Sequence, residues 1–196
     1  MRVNPDGLVR RSATVDHRYA WSLNLSRWQS ALASVSPVGT SEIEMRFDSS
    51  PTVQTTDVDE ASDILRRVYI PTVIVPIGPK RLNLRLNAAQ LPALTAGYVH
   101  FGTDVIAAAK DVSDYYVNMP LSGAVMTRWA DGQSETITTG SAAVFTPGTP
   151  AAITWPDDCG QLCIKVTQQT MHPELEALLN RPARKAVTFA RHLNLT

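Results

Sequence analysis

Apolar and polar positions alternate most cleanly through Arg81-Leu82-Asn83-Leu84-Arg85-Leu86-Asn87, where three leucines face one way and every polar group the other. That period of two is the signature of a strand with one buried face. From there to residue 167, short apolar runs are separated by turn signals: Gly102-Thr103-Asp104, Leu121-Ser122-Gly123, Ala130-Asp131-Gly132, Thr139-Gly140-Ser141, Pro147-Gly148-Thr149-Pro150 and Pro156-Asp157-Asp158. Turns at that spacing predict a β-sandwich or barrel, with Asp131-Gly132 between Val125-to-Trp129 and Glu135-to-Thr138 the strongest hairpin signal. Helical periodicity flanks this region on both sides. Asp57 with Glu60 three residues later predicts a capping box, Ala61, Ile64, Leu65 and Val68 form one face, and Pro71 ends the run. Beyond residue 167, Met171, Leu175, Leu178 and Leu179 share a face, Pro173 is expected in the first turn, and Arg181-Pro182 closes the helix. In the lead, Trp21, Leu25, Trp28 and Leu32 recur at helical spacing, and Ile43, Met45 and Phe47 alternate with charged residues. This lead either packs on the main domain or forms a moving arm.

Composition narrows the function classes. With 44% hydrophobic and 18% charged residues in 196, the chain reads as globular, and 18 Lys and Arg against 18 Asp and Glu leave no net field toward nucleic acid or an anionic membrane. Neither a signal peptide nor a membrane span is legible, so the expected location is cytoplasmic. Cys159 and Cys163, on an extended segment at about 3.3 Å per residue, would stand about 13 Å apart, beyond the roughly 7 Å reach of a disulfide. Free thiols are expected.

Evenly spaced glycine turns raise the question of a metal-binding cupin, whose motif spacings can be laid on the chain. Anchored on Gly123, the first motif sets its glutamate at Tyr116 and its histidines around Lys110 to Val112; anchored on Gly140, the second sets its histidine at Ala151 and its asparagine at Trp155. The turn spacing is kept and the ligand types are not, since a catalytic metal needs about three converging ligands. No metal or other cofactor is therefore expected. Ring and methyl surface at these points suits an organic guest. If Tyr116 points inward, so does Asn118; if Ala151 does, so do Ile153 and Trp155. Thr127 and Trp129 are expected on the neighbouring strand, with Asn118 and Thr127 orienting the guest and Tyr98 and His100 at the pocket edge. No nucleophile elbow, phosphate loop, dinucleotide fingerprint or zinc-protease motif occurs, and no catalytic residue is assigned.

From Asp57 to about Thr196 the chain resembles the N-terminal effector-binding region of AraC/XylS-family transcription regulators. The likeness rests on Asp57-Val58-Asp59-Glu60-Ala61 with Arg67-Val68-Tyr69, on Asp114 through Gly123, on Gly140 through Pro150, on Trp155-Pro156-Asp157-Asp158-Cys159, and on Leu175 through Pro182. The resemblance implies a mainly β fold with flanking helices, a cupin-like double-stranded jelly roll that binds a small organic effector and supports a homodimer. Promoter DNA would be reached only through a separate C-terminal domain outside this chain. The expected organisation is a lead or arm over 1–56, the effector-binding and dimerisation domain over 57–180, and the start of a linker over 181–196. The face of Met171, Leu175, Leu178 and Leu179 is a candidate dimer seam or, equally, a cover for the barrel. Two other readings stay open: a cupin enzyme with an unusual site, and an interaction module whose interior is filled by its own side chains.

Overall fold

The computed structural model describes residues 52–182 and 187–195. The lead patterns at Trp21, Leu25, Trp28 and Leu32 and at Ile43, Met45 and Phe47 lie outside these residues. The fold is mostly β, a cupin-like jelly roll of two antiparallel sheets. The seven-stranded sheet runs β1 (Thr52–Thr55), β3 (Leu84–Gln90), β4 (Thr95–His100), β11 (Gly160–Val166), β6 (Tyr115–Pro120), β9 (Ser141–Phe145) and β12 (His192–Asn194). The five-stranded sheet runs β2 (Val73–Pro76), β5 (Val105–Ala109), β10 (Ala151–Trp155), β7 (Ala124–Trp129) and β8 (Ser134–Thr138). Leu82, Leu84 and Leu86, the leucines of the alternating stretch, are all buried. The hairpin expected at Asp131-Gly132 joins β7 to β8, and Gly132 adopts a φ of 84°, a left-handed conformation that an L side chain would strain.

Two ends of the chain depart from expectation. The sheet begins before Arg81: Thr52–Thr55 pairs with Leu84–Asn87, so part of the segment assigned to the lead is an edge strand. The tail assigned to a linker likewise returns to the fold, because His192–Asn194 pairs with β9. Side chains fix it there. Phe189 packs edge-on against Tyr115 at 5.5 Å, the Arg191 guanidinium lies 5.3 Å over the Trp129 ring, and Arg191 pairs with Asp131 at 2.7 Å. The cation of this tail meets an aromatic face and a carboxylate supplied by the hairpin.

Helix α1 (Val58–Val68) forms for the reasons its sequence offers. The Asp57 carboxylate accepts the Glu60 amide at 2.9 Å, acids occupy the first turn and Arg66 and Arg67 the last, which complements the helix dipole. Ala61, Ile64 and Leu65 are buried. Helix α2 (Gln168–Leu179) is capped by Thr167, whose hydroxyl accepts the Thr170 amide at 3.2 Å, and ends at Asn180 in the left-handed region. Pro173 lies in its second turn, not the first, so the helix forgoes the bond to the Gln169 carbonyl. No residue of α2 is buried.

Candidate functional site

A hollow of about 90 Å³ lies between the sheets. Its walls follow from strand alternation. On β6, Tyr116 and Asn118 face it; on β10, Ala151, Ile153 and Trp155; on β11, Cys163. Val99 and Phe101 contribute from β4 and the turn after it, Ala107 and Ala109 from β5, and Phe145 from β9. The space arises where short side chains meet long ones. Ala107 pairs with Ile153 and Ala109 with Ala151, so that stretch of wall projects mostly methyl groups toward the large rings and leaves the layer incompletely filled.

Leu65, Tyr69, Ile70 and Thr72 close one side of the hollow, contributed by α1 and the segment after it. Tyr69 is the junction. Its hydroxyl donates to the Cys163 carbonyl at 3.2 Å, while its own carbonyl accepts the Tyr116 hydroxyl at 3.2 Å and the Lys165 ammonium at 3.0 Å. Gly97 makes room for the phenol: a Cβ there would stand 2.5 Å from the Tyr69 hydroxyl oxygen and 2.5 Å from the Asn87 carbonyl. Lys165 also pairs with Asp114 at 3.5 Å, and Asp114 accepts the Gln168 amide at 3.2 Å, at the start of α2.

Among the described residues that line the hollow, none is Asp, Glu, Lys, Arg or His. The ionisable groups that do line the hollow are held neutral. Burial raises the Tyr69 phenol strongly, with Cys163 adding to the effect; burial, then Asp114, pushes Tyr116 up to about 12; burial, then Cys159, raises the Cys163 thiol. Cys159 beside them is pushed up to about 12 by burial and by Asp158. Both cysteines are free and buried. Among the described residues, no group of three or more His, Cys, Asp or Glu converges as metal ligands would.

Of the eight residues proposed from sequence, Tyr116, Asn118, Ile153 and Trp155 meet around this hollow. Ala151 and Trp155, read off motif spacing alone, do line the same space as Tyr116. Thr127 and Trp129 sit on the inward face of β7, opposite Ile153 and Ala151, but behind the lining. The Trp129 ring is taken up by Phe145 and Arg191. Tyr98 and His100 are corrected: they stand on the other face of β4 from Val99, with their rings stacked at 6.4 Å. The Tyr98 ring lies over Gly160, where a Cβ would collide with the Tyr98 hydroxyl oxygen, and His100 Nε2 is bonded to the Asp157 carbonyl at 2.9 Å. His100 thus braces the turn after Trp155, whose indole donates to the Cys159 carbonyl at 2.6 Å. Sequence reading missed the contribution of α1, although Leu65 and Tyr69 are spaced i and i+4. It also missed Gln161, which is 0% exposed with neither amide atom hydrogen-bonded.

Comparison with solved structures returns distant likenesses. An AraC-like transcriptional activator, CuxR, aligns at a TM-score of 0.49 and 10% identity over 66% of this chain and 52% of that one, so the match spans about half of the activator's length. Hydroxypropylphosphonic acid epoxidase from S. wedmorenis aligns at a TM-score of 0.35 and 15% identity over 42% of this chain and 50% of that one. Functionally curated proteins give no match. The family model of the AraC-binding-like domain, by contrast, matches residues 61–196, from the first buried residue of α1 through β2 to β12 and α2, and the chain therefore belongs to the AraC-binding-like domain family.

Proposed function

We propose that this chain is the small-molecule-sensing and dimerisation domain of an AraC-type transcription regulator, acting in the cytoplasm by binding and not by chemical turnover. The observation that carries the reading is the hollow between the sheets, walled by rings and methyl groups with few polar atoms, in a member of the AraC-binding-like family. Such a wall suits a small organic effector: apolar contact supplies affinity, and a few polar groups set orientation. Tyr116, Asn118, Ile153 and Trp155 are the contacts, with Thr127 and Trp129 behind them. No metal or cofactor takes part. Promoter DNA is gripped by a separate domain, because 18 basic against 18 acidic residues give this one no field for phosphates.

Two copies pair through α2. Met171 and Leu175 are half-buried and Leu178 and Leu179 exposed, so its own barrel does not consume this apolar stripe. Tyr116 connects the two roles. Its ring lines the hollow, its hydroxyl holds the Tyr69 carbonyl, Lys165 links that carbonyl to Asp114, and Asp114 receives the first amide of α2. An effector that favours one setting of Tyr116 favours one setting of α2, and only that difference in affinity transmits a signal.

The test is a fragment screen by nuclear magnetic resonance on the purified chain, following Tyr116 and Trp155, with sedimentation run over a concentration series. Compounds that perturb these residues and shift the association equilibrium are expected. A hollow that no compound perturbs rejects the sensor, and a strict monomer at high concentration rejects the pairing.

A further inference from the structure

We propose that the effector is electrically neutral and carries a hydrogen-bond donor and acceptor side by side, as a primary amide, lactam or urea does, and that Gln161 reads that pair. This rests on the hollow being an effector site. Two separate observations lead to it. First, the lining has no charged side chain among the described residues, and the Lys165 ammonium is already engaged by the carbonyl of Tyr69, a lining residue, at 3.0 Å and by Asp114 at 3.5 Å. A carboxylate or ammonium guest would lose its hydration without meeting an opposite charge, a large penalty.

Second, Gln161 is fully buried on β11, two residues before Cys163 and in register with Val99, and both of those line the hollow. Alternation turns its side chain to the same interior face as Cys163, where, like Thr127, it stands behind the residues that line the hollow. Both its amide nitrogen and its amide oxygen lack partners among the described residues. A buried primary amide left unpaired is costly, and native proteins rarely keep one without use. Its N–H and C=O lie in one plane, side by side, and the group that satisfies both at once is another amide-like edge. The Thr127 hydroxyl, on the inward face of the opposite sheet, is also buried and unpaired. Gln161 and Thr127, the two unpaired groups named here, are both neutral.

The hollow of about 90 Å³ sets the scale of the probes. 2-Pyrrolidinone has the paired edge, cyclopentanone keeps the shape and loses the donor, and pyrrolidine at neutral pH and propanoate carry opposite charges. The experiment titrates each into the ¹⁵N-labelled chain, following the Gln161 side-chain amide, and repeats the series on Gln161→Leu and on Gln161→Met, which keeps the length. Expected are at least tenfold tighter binding of 2-pyrrolidinone than of cyclopentanone, no saturation with either ion, and loss of the tenfold gap in both variants without a fall in Tm. An ion that binds as well as the lactam overturns the inference and leaves the sensor reading standing. So does a gap that persists in the variants, or a Tm lowered by several degrees in both, which would mean that the amide is already paired within the fold. If none of the four probes binds and the wider fragment screen also leaves the hollow unperturbed, the sensor reading itself fails and takes this inference with it.

Discussion

Helices α1 and α2 each carry four apolar residues at helical spacing in the sequence, yet the fold uses them in opposite ways. Helix α1 buries Ala61, Ile64 and Leu65 and is pinned at its end by Tyr69, whereas α2 buries nothing and is held at its start through Asp114, the Thr167 cap and the Gln168 side chain on the Ser113 carbonyl. The junctions also differ in kind. Phenols and a thiol that must stay protonated surround the end of α1, while an ion pair stands at the root of α2. An amphipathic stripe states that a face wants cover; the choice of cover is made by the groups at the helix ends.

This contrast can be broken by alkali first. Folding raises the pKa of Cys159, Cys163, Tyr69 and Tyr116, so above their unfolded values the unfolded chain sheds protons that the folded chain keeps. Their contribution is whole below about pH 8.5 and is lost as pH rises toward about 12. Thermal melts across this range should stay level at first and then fall steeply, with α1 leaving the barrel; a melt unchanged at pH 11 would contradict the protonated seam. Next in size, Ile64→Ala removes a core side chain that does not line the hollow, and should cost about 2–5 kcal/mol in urea unfolding with an unchanged slope. Gly97→Ala sets a methyl against Tyr69, and should cost about 1–3 kcal/mol and free the Tyr69 ring, visible in its fluorescence. Smallest is Leu178→Ala on α2, where 56% exposure limits the loss in the monomer to within about 0.5 kcal/mol. A loss there as large as that of Ile64→Ala would erase the distinction between the helices.

Much of the barrel was legible because its cues are local. The leucine alternation, the Asp131-Gly132 turn and the Asp57 cap each depend on a few adjacent residues, and each appears where expected. The convergence of Tyr116, Ala151 and Trp155 was legible because turn spacing fixes which strand positions face each other. Tyr98 and His100 were misread because period two leaves the choice of face open, and only the pairing with β11, where Tyr98 lies over Gly160, decides it. Gln161 gave no local sign: a lone glutamine between Gly160 and Leu162 reads as surface, and its burial depends on the partners of β11 on both sides. The return of the tail to β9 was hidden for the same reason, since Arg191 gains its place from a tryptophan and an aspartate some sixty residues earlier.

The docking of β12 has a practical consequence for anyone trimming the protein. Ending it near Pro182 would strip the guanidinium from Trp129 and leave the β9 backbone with an unpaired margin, open to strand exchange with a neighbouring molecule and to precipitation. A version kept through Leu195 retains that margin's seal.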